Sequence, residues 1–350
     1  MMQAVLKKMI LGGIVAAGCI GAAGMAMAKD LGTFRMMFPV ESVNQYHPFF
    51  IAETKGYFKE EGLKVEYQDA GGSSAAIQQV LAGNADAALP APSAFLNAVA
   101  NGHDLRWIYS YQYANIFTLA ATKESGIATI ADLKGKKVGV SDLAGGEVPL
   151  VQAVLAAAGL NEGDVQIVPV GDGSALTVQA LQNKQVDAYS SSLFDIASIR
   201  ARGIDLVTIL PKEAQDFPAN GVVVTAAALE KNREKYQAFL RAVAKAVVYT
   251  AAHDAEAFAE AKKIRPEEFE DEAVAKNFWE AAHTLKTPPA ELKDQPIGTH
   301  FTPGFKAFHD FLRTGSEQEG GLAKDVDLAK VLDSSLIPAA NDFDKAAIAK

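Results

Sequence analysis

Gly71-Gly72-Ser73-Ser74-Ala75-Ala76-Ile77-Gln78-Gln79-Val80-Leu81-Ala82-Gly83-Asn84-Ala85-Asp86 is the stretch on which the fold turns, because the same unit returns 101 residues later without a gap. Gly72-Ser73 falls on Gly173-Ser174, Ile77-Gln78 on Val178-Gln179, Val80 on Leu181, and Asp86-Ala87 on Asp187-Ala188. Ahead of each copy a helix ends in Gly-Leu, at Gly62-Leu63 and Gly159-Leu160, and passes into a strand. A single match of this kind arises by chance. A shared order of elements at one fixed spacing marks an internal repeat of two α/β units.

Working outward, residues 34–40 read as a strand, 49–60 as a helix with its apolar positions on one face, and 63–68 as the next strand. The Gly-Ser opening at 71–74 starts a helix to about residue 82, and Asp86-Ala87-Ala88-Leu89 starts another strand. Short β-like runs alternating with helices predict mainly parallel sheets. The repeat divides the chain into lobe I, residues 29–120 with 221–350, and lobe II, residues 121–220. Val222 to Thr225 reads as a strand returning to lobe I, and the rest of the C-terminal part is helical, with the longest run over 226–252. Two crossings, near 120–124 and 217–221, would form a hinge.

The first 28 residues read differently. Lys7 and Lys8 precede an apolar run from Met9 to Ala23, and Ala26-Met27-Ala28 stands just before Lys29-Asp30. A basic start, a short apolar middle and an A-x-A site form a secretory signal peptide. The run is shorter than the ~20 residues that span a bilayer, and glycines break it. Cys19 in Ala16-Ala17-Gly18-Cys19 makes a loose lipoprotein box, the lesser alternative. Cleavage after Ala28 removes the single cysteine and takes the formal net charge from −9 to −11. Stability then rests on the core, and a net acidic surface excludes nucleic acid and anionic membranes as partners. The expected product is an exported monomer.

Chemistry concentrates in the loops that follow strands, where open α/β sheets bind ligands and helix N-termini point backbone N–H groups outward. Five such loops stand out, at 71–74, 90–93, 141–147, 171–174 and 190–192. Ser73, Ser74, Ser93, Ser141, Gly146, Glu147 and Ser174 are the candidate contacts they supply. The same serines also suit plain helix capping. Tyr46 and His47 follow the first strand and are placed facing the cleft, with His47 equally suited to holding its own loop. The cluster Trp107, Tyr109, Tyr111 and Tyr113 has strand periodicity and belongs mostly to the core.

No G-x-S-x-G elbow, S-x-x-K dyad, Walker loop or complete G-x-G-x-x-G occurs, and the six histidines show no paired ligand spacing. No catalytic residue, metal site or cofactor is therefore expected.

Three segments, His47 to Glu66 (HPFFIAETKGYFKEEGLKVE), Gly71 to Asp86 and Ser125 to Val140 (SGIATIADLKGKKVGV), resemble the substrate-binding proteins for nitrate, sulfonates, taurine and thiamine precursors, the NMT1/THI5-like family. The resemblance covers roughly residues 33–248. It implies a type II periplasmic-binding-protein fold, two α/β lobes joined by a hinge with a ligand cleft between them. It also implies capture of a small molecule and delivery to an ABC permease and its ATPase, and it places ligand contacts on Ser73, Ser74, Ser93, the 141–147 loop and Ser174. The cysteine cluster of the related fungal enzymes is absent. A small-molecule enzyme on the same fold, of the pyrimidine-precursor synthase type, is the alternative.

Charge separates the ligand classes. The five loops hold no Lys or Arg but do hold Asp142, Glu147 and Asp172, with Glu41 and Asp195 close by. A nitrate or sulfonate site calls for a cation or for bare helix N-termini. The balance favours a neutral or amine-bearing molecule, such as a pyrimidine-type thiamine precursor, over a sulfonate or taurine-like compound. Arg35 on the first strand is the one nearby cation set against this.

Overall fold

The computed structural model describes residues 29–350 apart from 144, 162, 216 and 314–320. The expected signal peptide, with Cys19, lies outside the described residues. Among the described residues ten strands run in chain order: β1 (Gly32–Phe38), β2 (Leu63–Asp69), β3 (Ala87–Ala88), β4 (Leu105–Ser110), β5 (Phe117–Thr122), β6 (Lys137–Val140), β7 (Gln166–Pro169), β8 (Ala188–Ser192), β9 (Leu206–Thr208) and β10 (Gly221–Thr225). They form two five-stranded sheets, β2-β1-β3-β10-β4 and β7-β6-β8-β5-β9. In each sheet three strands are parallel and the fourth position is an antiparallel strand that has just crossed from the other lobe. The two sheets therefore share one topology, as the sequence repeat requires.

The repeat persists down to single bonds. Asp86 accepts from Arg35 N of β1 at 2.7 Å, and Asp187 accepts from Lys137 N of β6 at 2.8 Å, each fastening its helix-to-strand turn to the strand at the same place in its own sheet. Gly83 and Lys184, 101 positions apart, end the two repeated helices with φ of 75° and 54°. Lys184 is the one non-glycine with positive φ among the described residues. A lysine there carries a backbone cost that glycine avoids.

β1 is buried on both faces, with Phe34, Met36, Met37 and Phe38 all at 3% exposure or less. Parallel strands with helices on both sides have this pattern. Phe34 stacks on Phe239 of the helix Arg233–Ala252 at 3.9 Å between ring centroids, which fixes that helix under the sheet. Burying one such ring contributes about 2 kcal/mol. A second cluster runs from one lobe into the other, joining Ile77, Phe95 and Trp107 to Leu119, Leu150 and Val154. The lobes are thus closed on each other.

The first crossing sits earlier than expected. Residues 117–122 pair with β8 and β9 in the second sheet, so the chain leaves lobe I over 111–116 rather than 120–124. Alternating aromatics run through β4 into 111–113, so side-chain pattern alone does not show where the strand ends.

The 44–48 stretch, expected as a loop, is helix. Helix Val43–Thr54 starts at an N-cap, Ser42, whose Oγ accepts from Gln45 N at 3.1 Å. Pro48 stands inside it. Proline lacks the N–H that would bond Asn44 O, so this carbonyl is free, and His47 Nδ1 donates to it at 2.8 Å.

Candidate ligand cleft

A cavity of about 590 Å³ lies between the C-terminal ends of the two sheets, walled by both lobes. Lobe I supplies the turn after β1 with Glu41, Tyr46 and the 71–73 loop. Lobe II supplies Ser141, Asp142, Gly145, Gly146 and Glu147, Gly171 with Asp172, and Ser191, Ser192 and Asp195. Phe278, from the helix Glu272–Lys286, and Asn220, from the second crossing, complete the wall.

Of the residues expected from sequence, Tyr46, Ser73, Ser141, Gly146, Glu147 and Asp195 line this cavity. Ser74, Ser93, Ser174 and His47 do not. Ser74 is exposed on a separate depression beside Gln78 and Asn97, because the helix Ser73–Leu81 turns it away from the cleft. Ser93 is buried, and its Oγ donates to Gly146 O at 3.2 Å, a bond from lobe I to lobe II. Ser174 is the N-cap position of the helix Ala175–Gln182, and the cavity is lined at this loop by Gly171 and Asp172 instead. Ser73 lines the cavity while its hydroxyl accepts from Ala91 N at 3.0 Å, holding the neighbouring loop.

His47 is turned away from the cleft. It is fully buried against Trp279, with ring centroids 3.7 Å apart, and its Nε2 accepts from Lys286 Nζ at 2.5 Å. Its bond to Asn44 O sets this orientation. Burial, and then the Lys286 charge, hold its pKa well below the ordinary histidine value. Burial likewise pushes Lys286 down to about 7, against an opposing pull from Asp254. Between about pH 7 and the ordinary lysine value near 10.5, the unfolded chain binds a proton that folded Lys286 releases, so stability rises with pH across that window. Lys286→Met should therefore melt above the wild type at pH 7 by several degrees, with the gap closing by pH 10. Calorimetric scans at both pH values check this, and a gap independent of pH would mean that the amine is solvated.

The cavity's electrostatics have one sign. Glu41, Asp142, Glu147, Asp172 and Asp195 line it, and no Lys, Arg or His does so among the described residues. Glu41 is paired with Arg265 behind the rim. Arg35, the one cation near the first strand, is committed elsewhere, to Gly83 O at 3.1 Å and to Asp86. Glu147 is 2% exposed and accepts from Ser141 N at 2.9 Å and from Ser141 Oγ. Burial, reinforced by Asp195, pushes its carboxyl above the usual range. Asp195 accepts from Ser192 Oγ at 2.8 Å and from Ser191 Oγ, and burial raises it too. Ser192 caps the helix Leu193–Ala201 by accepting from Asp195 N. The serines of this loop thus serve the aspartate, not a ligand directly.

Phe278 and Asn220 were not expected. Phe278 arrives from a helix far along the chain, and no local pattern ties it to the loops. Asn220 had a signal, a lone amide in the apolar run Phe217-Pro218-Ala219-Asn220-Gly221-Val222.

Two like-folded lobes closed over a polar cleft, with both lobes in its wall, define the class as a two-lobed α/β protein of the type II periplasmic-binding fold. The chain belongs to the NMT1/THI5-like family, whose model matches residues 43–257. It is 25% identical over 227 residues to the riboflavin-binding protein RibY of Chloroflexus aurantiacus, a match spanning 64% of each chain. It is 27% identical over 238 residues to the 4-amino-5-hydroxymethyl-2-methylpyrimidine phosphate synthase THI11 of Saccharomyces cerevisiae, covering 63% of this chain and 68% of that one. Among solved structures, the alkanesulfonate-binding protein SsuA from Xanthomonas axonopodis pv. citri, bound to MOPS, superposes with a TM-score of 0.65 at 16% identity, covering 89% of this chain and all of that one. That likeness carries the fold alone.

Proposed function

We propose that this chain is the exported ligand-capturing component of an ABC importer, which closes its lobes on a small polar aromatic molecule bearing an amino group and presents it to a permease. The observation that carries the reading is the cleft itself, walled by both lobes, with five carboxylates and no basic side chain among the described residues of its lining. A small ligand fits a cavity of this size, since such pockets run to about 300–1,000 Å³. The Phe278 ring offers apolar surface to a flat molecule, and Glu147 and Asp195 offer acceptors to its amino group. A sulfonate or nitrate would meet repulsion here. The crossings at 111–116 and 209–220 would serve as the hinge.

A thermal-shift panel of 4-amino-5-hydroxymethyl-2-methylpyrimidine, riboflavin, taurine and nitrate tests the ligand class. A true ligand at ~100 times its Kd adds roughly 2.7 kcal/mol to stability. The pyrimidine is expected to give that shift and nitrate none. A shift with nitrate or taurine alone would overturn the charge argument. The kinship with a synthase raises a second reading, an enzyme on this fold. Mass spectrometry of the pyrimidine after incubation separates the two, since a binding protein returns it unchanged and in stoichiometric amount.

A further inference from the structure

Asp86 and Asp187 hold the same corner of the two lobes, just before β3 and β8 and so at the strand ends opposite the cleft. In each, one carboxylate oxygen, Oδ2, accepts from the neighbouring strand, at Arg35 N and at Lys137 N. In lobe I the other oxygen is taken as well. Lys235 Nζ, on the helix Arg233–Ala252, donates to Asp86 Oδ1 at 2.9 Å, and Tyr236 Oη of the same helix donates to Asp86 O at 2.9 Å. That helix belongs to the C-terminal part of the chain, and lobe II has no such segment to lay over its own corner.

The corner in lobe II is open. A cavity of about 500 Å³ lies there, with Asp187, Lys184, Lys136 and Glu124 in its wall beside the apolar Leu181 and Ile204. Asp187 is half-buried, and among the described residues its carboxylate has the Lys137 N bond and no other. A half-buried carboxylate is matched to a cation, as Asp86 is to Lys235. The positive charge of the wall is placed at a cost. Lys184 follows the helix Ala175–Gln182 with φ of 54°, where lobe I makes the same turn with Gly83 at 75°. Side chains held in the left-handed region are strained and gather at binding sites. Among the described residues the Lys184 and Lys136 ammonium groups bond to nothing in the protein.

We propose that this cavity is a second binding site, on lobe II and separate from the cleft, for a small zwitterion. Its ammonium takes the place on Asp187 that Lys235 has on Asp86, and its anionic group meets Lys184. The volume is that of a small-molecule pocket, about 300–1,000 Å³. Leu181 and Ile204 give a short aliphatic spacer apolar surface to pack on.

The test uses the whole protein with the cleft's amine acceptors removed, Glu147→Gln with Asp195→Asn. Calorimetric titration with 4-aminobutyrate, 6-aminohexanoate and, as an ammonium alone, butylamine is carried out on that parent and again after adding Asp187→Asn or Lys184→Gly. At least one zwitterion is expected to bind the parent, and butylamine about tenfold more weakly or worse. Asp187→Asn keeps an acceptor for Lys137 N and should weaken the zwitterion by about the same factor. Lys184→Gly relieves the strained turn, so it should melt at or above its parent while binding the zwitterion no better than butylamine. Absence of binding by both zwitterions, or binding that survives unchanged in either variant, overturns the site. None of these outcomes bears on the cleft, whose acceptors the parent lacks.

Discussion

Gly146→Val should bind 4-amino-5-hydroxymethyl-2-methylpyrimidine about tenfold more weakly than the wild type, and small-angle scattering should find the ligand-free variant more open than the ligand-free wild type. Gly146 sits where the lobes meet. A Cβ built on it would lie 2.8 Å from Phe117 Cζ and 3.3 Å from Ala91 Cβ, and Ala91 belongs to the opposite lobe. The Gly146 carbonyl also receives Ser93 Oγ from that lobe. Added methyl groups have no room in this closed arrangement, and overpacking costs about 1–3 kcal/mol. Opening the lobes relieves the contact with Ala91 but not the closer one with Phe117, which begins β5 in the same lobe, so the penalty is divided between the closed state and lobe II itself. Apparent affinity drops by the factor that the closed population drops. The melting temperature should fall as well, because the contact with Phe117 persists in the open form. A closed particle with wild-type affinity would show that the lobes close along a different path.

The fold was legible because a repeat at fixed spacing carries more information than any single helix or strand. Gly72-Ser73 with Asp86 recurs as Gly173-Ser174 with Asp187, and the two aspartates make the same bond to β1 and to β6, which hold the same place in their sheets. The site was legible only in part. Sequence places a loop at the right end of a strand, but which serine on the first helical turn faces inward depends on a rotation of about 100° per residue. Ser73 therefore lines the cavity and Ser74 does not. His47 was misplaced for a reason that only the bonding reveals. Pro48 leaves Asn44 O without a helical partner, and the imidazole turns toward it and away from the cleft. Phe278 and Asn220 reach the wall from the helical C-terminal part and from a crossing, and tertiary structure alone brings them there. The charge balance of the loops survived intact, because it depends on what the loops lack and not on which way any residue points.

Replacing both carboxylates of the lobe II wall, Glu147→Gln with Asp195→Asn, should separate binding from stability in opposite directions. Each substitution keeps its shape and an acceptor oxygen, so Ser141, Ser191 and Ser192 retain something to bond. What is removed is buried negative charge. Hydrogen bonds to a charged group contribute about 1.5–3 kcal/mol, so the pair should lose about 100-fold or more in affinity for an amine-bearing pyrimidine. Burial raises the folded-state pKa of both groups. Their contribution to stability is therefore fully present below the unfolded carboxylate value and is lost as pH rises through the raised one. At neutral pH the ligand-free wild type carries that cost and the double variant does not, so the variant should melt higher. In acid the two should converge. Affinity has the reverse dependence, falling in the wild type as acid protonates the pair and staying flat in the variant. Titration calorimetry and melting scans from pH 4 to pH 8 read both quantities. A variant that binds the pyrimidine as well as the wild type would show that these carboxylates are bystanders, and a variant that melts lower at pH 7 would show that they hold lobe II together.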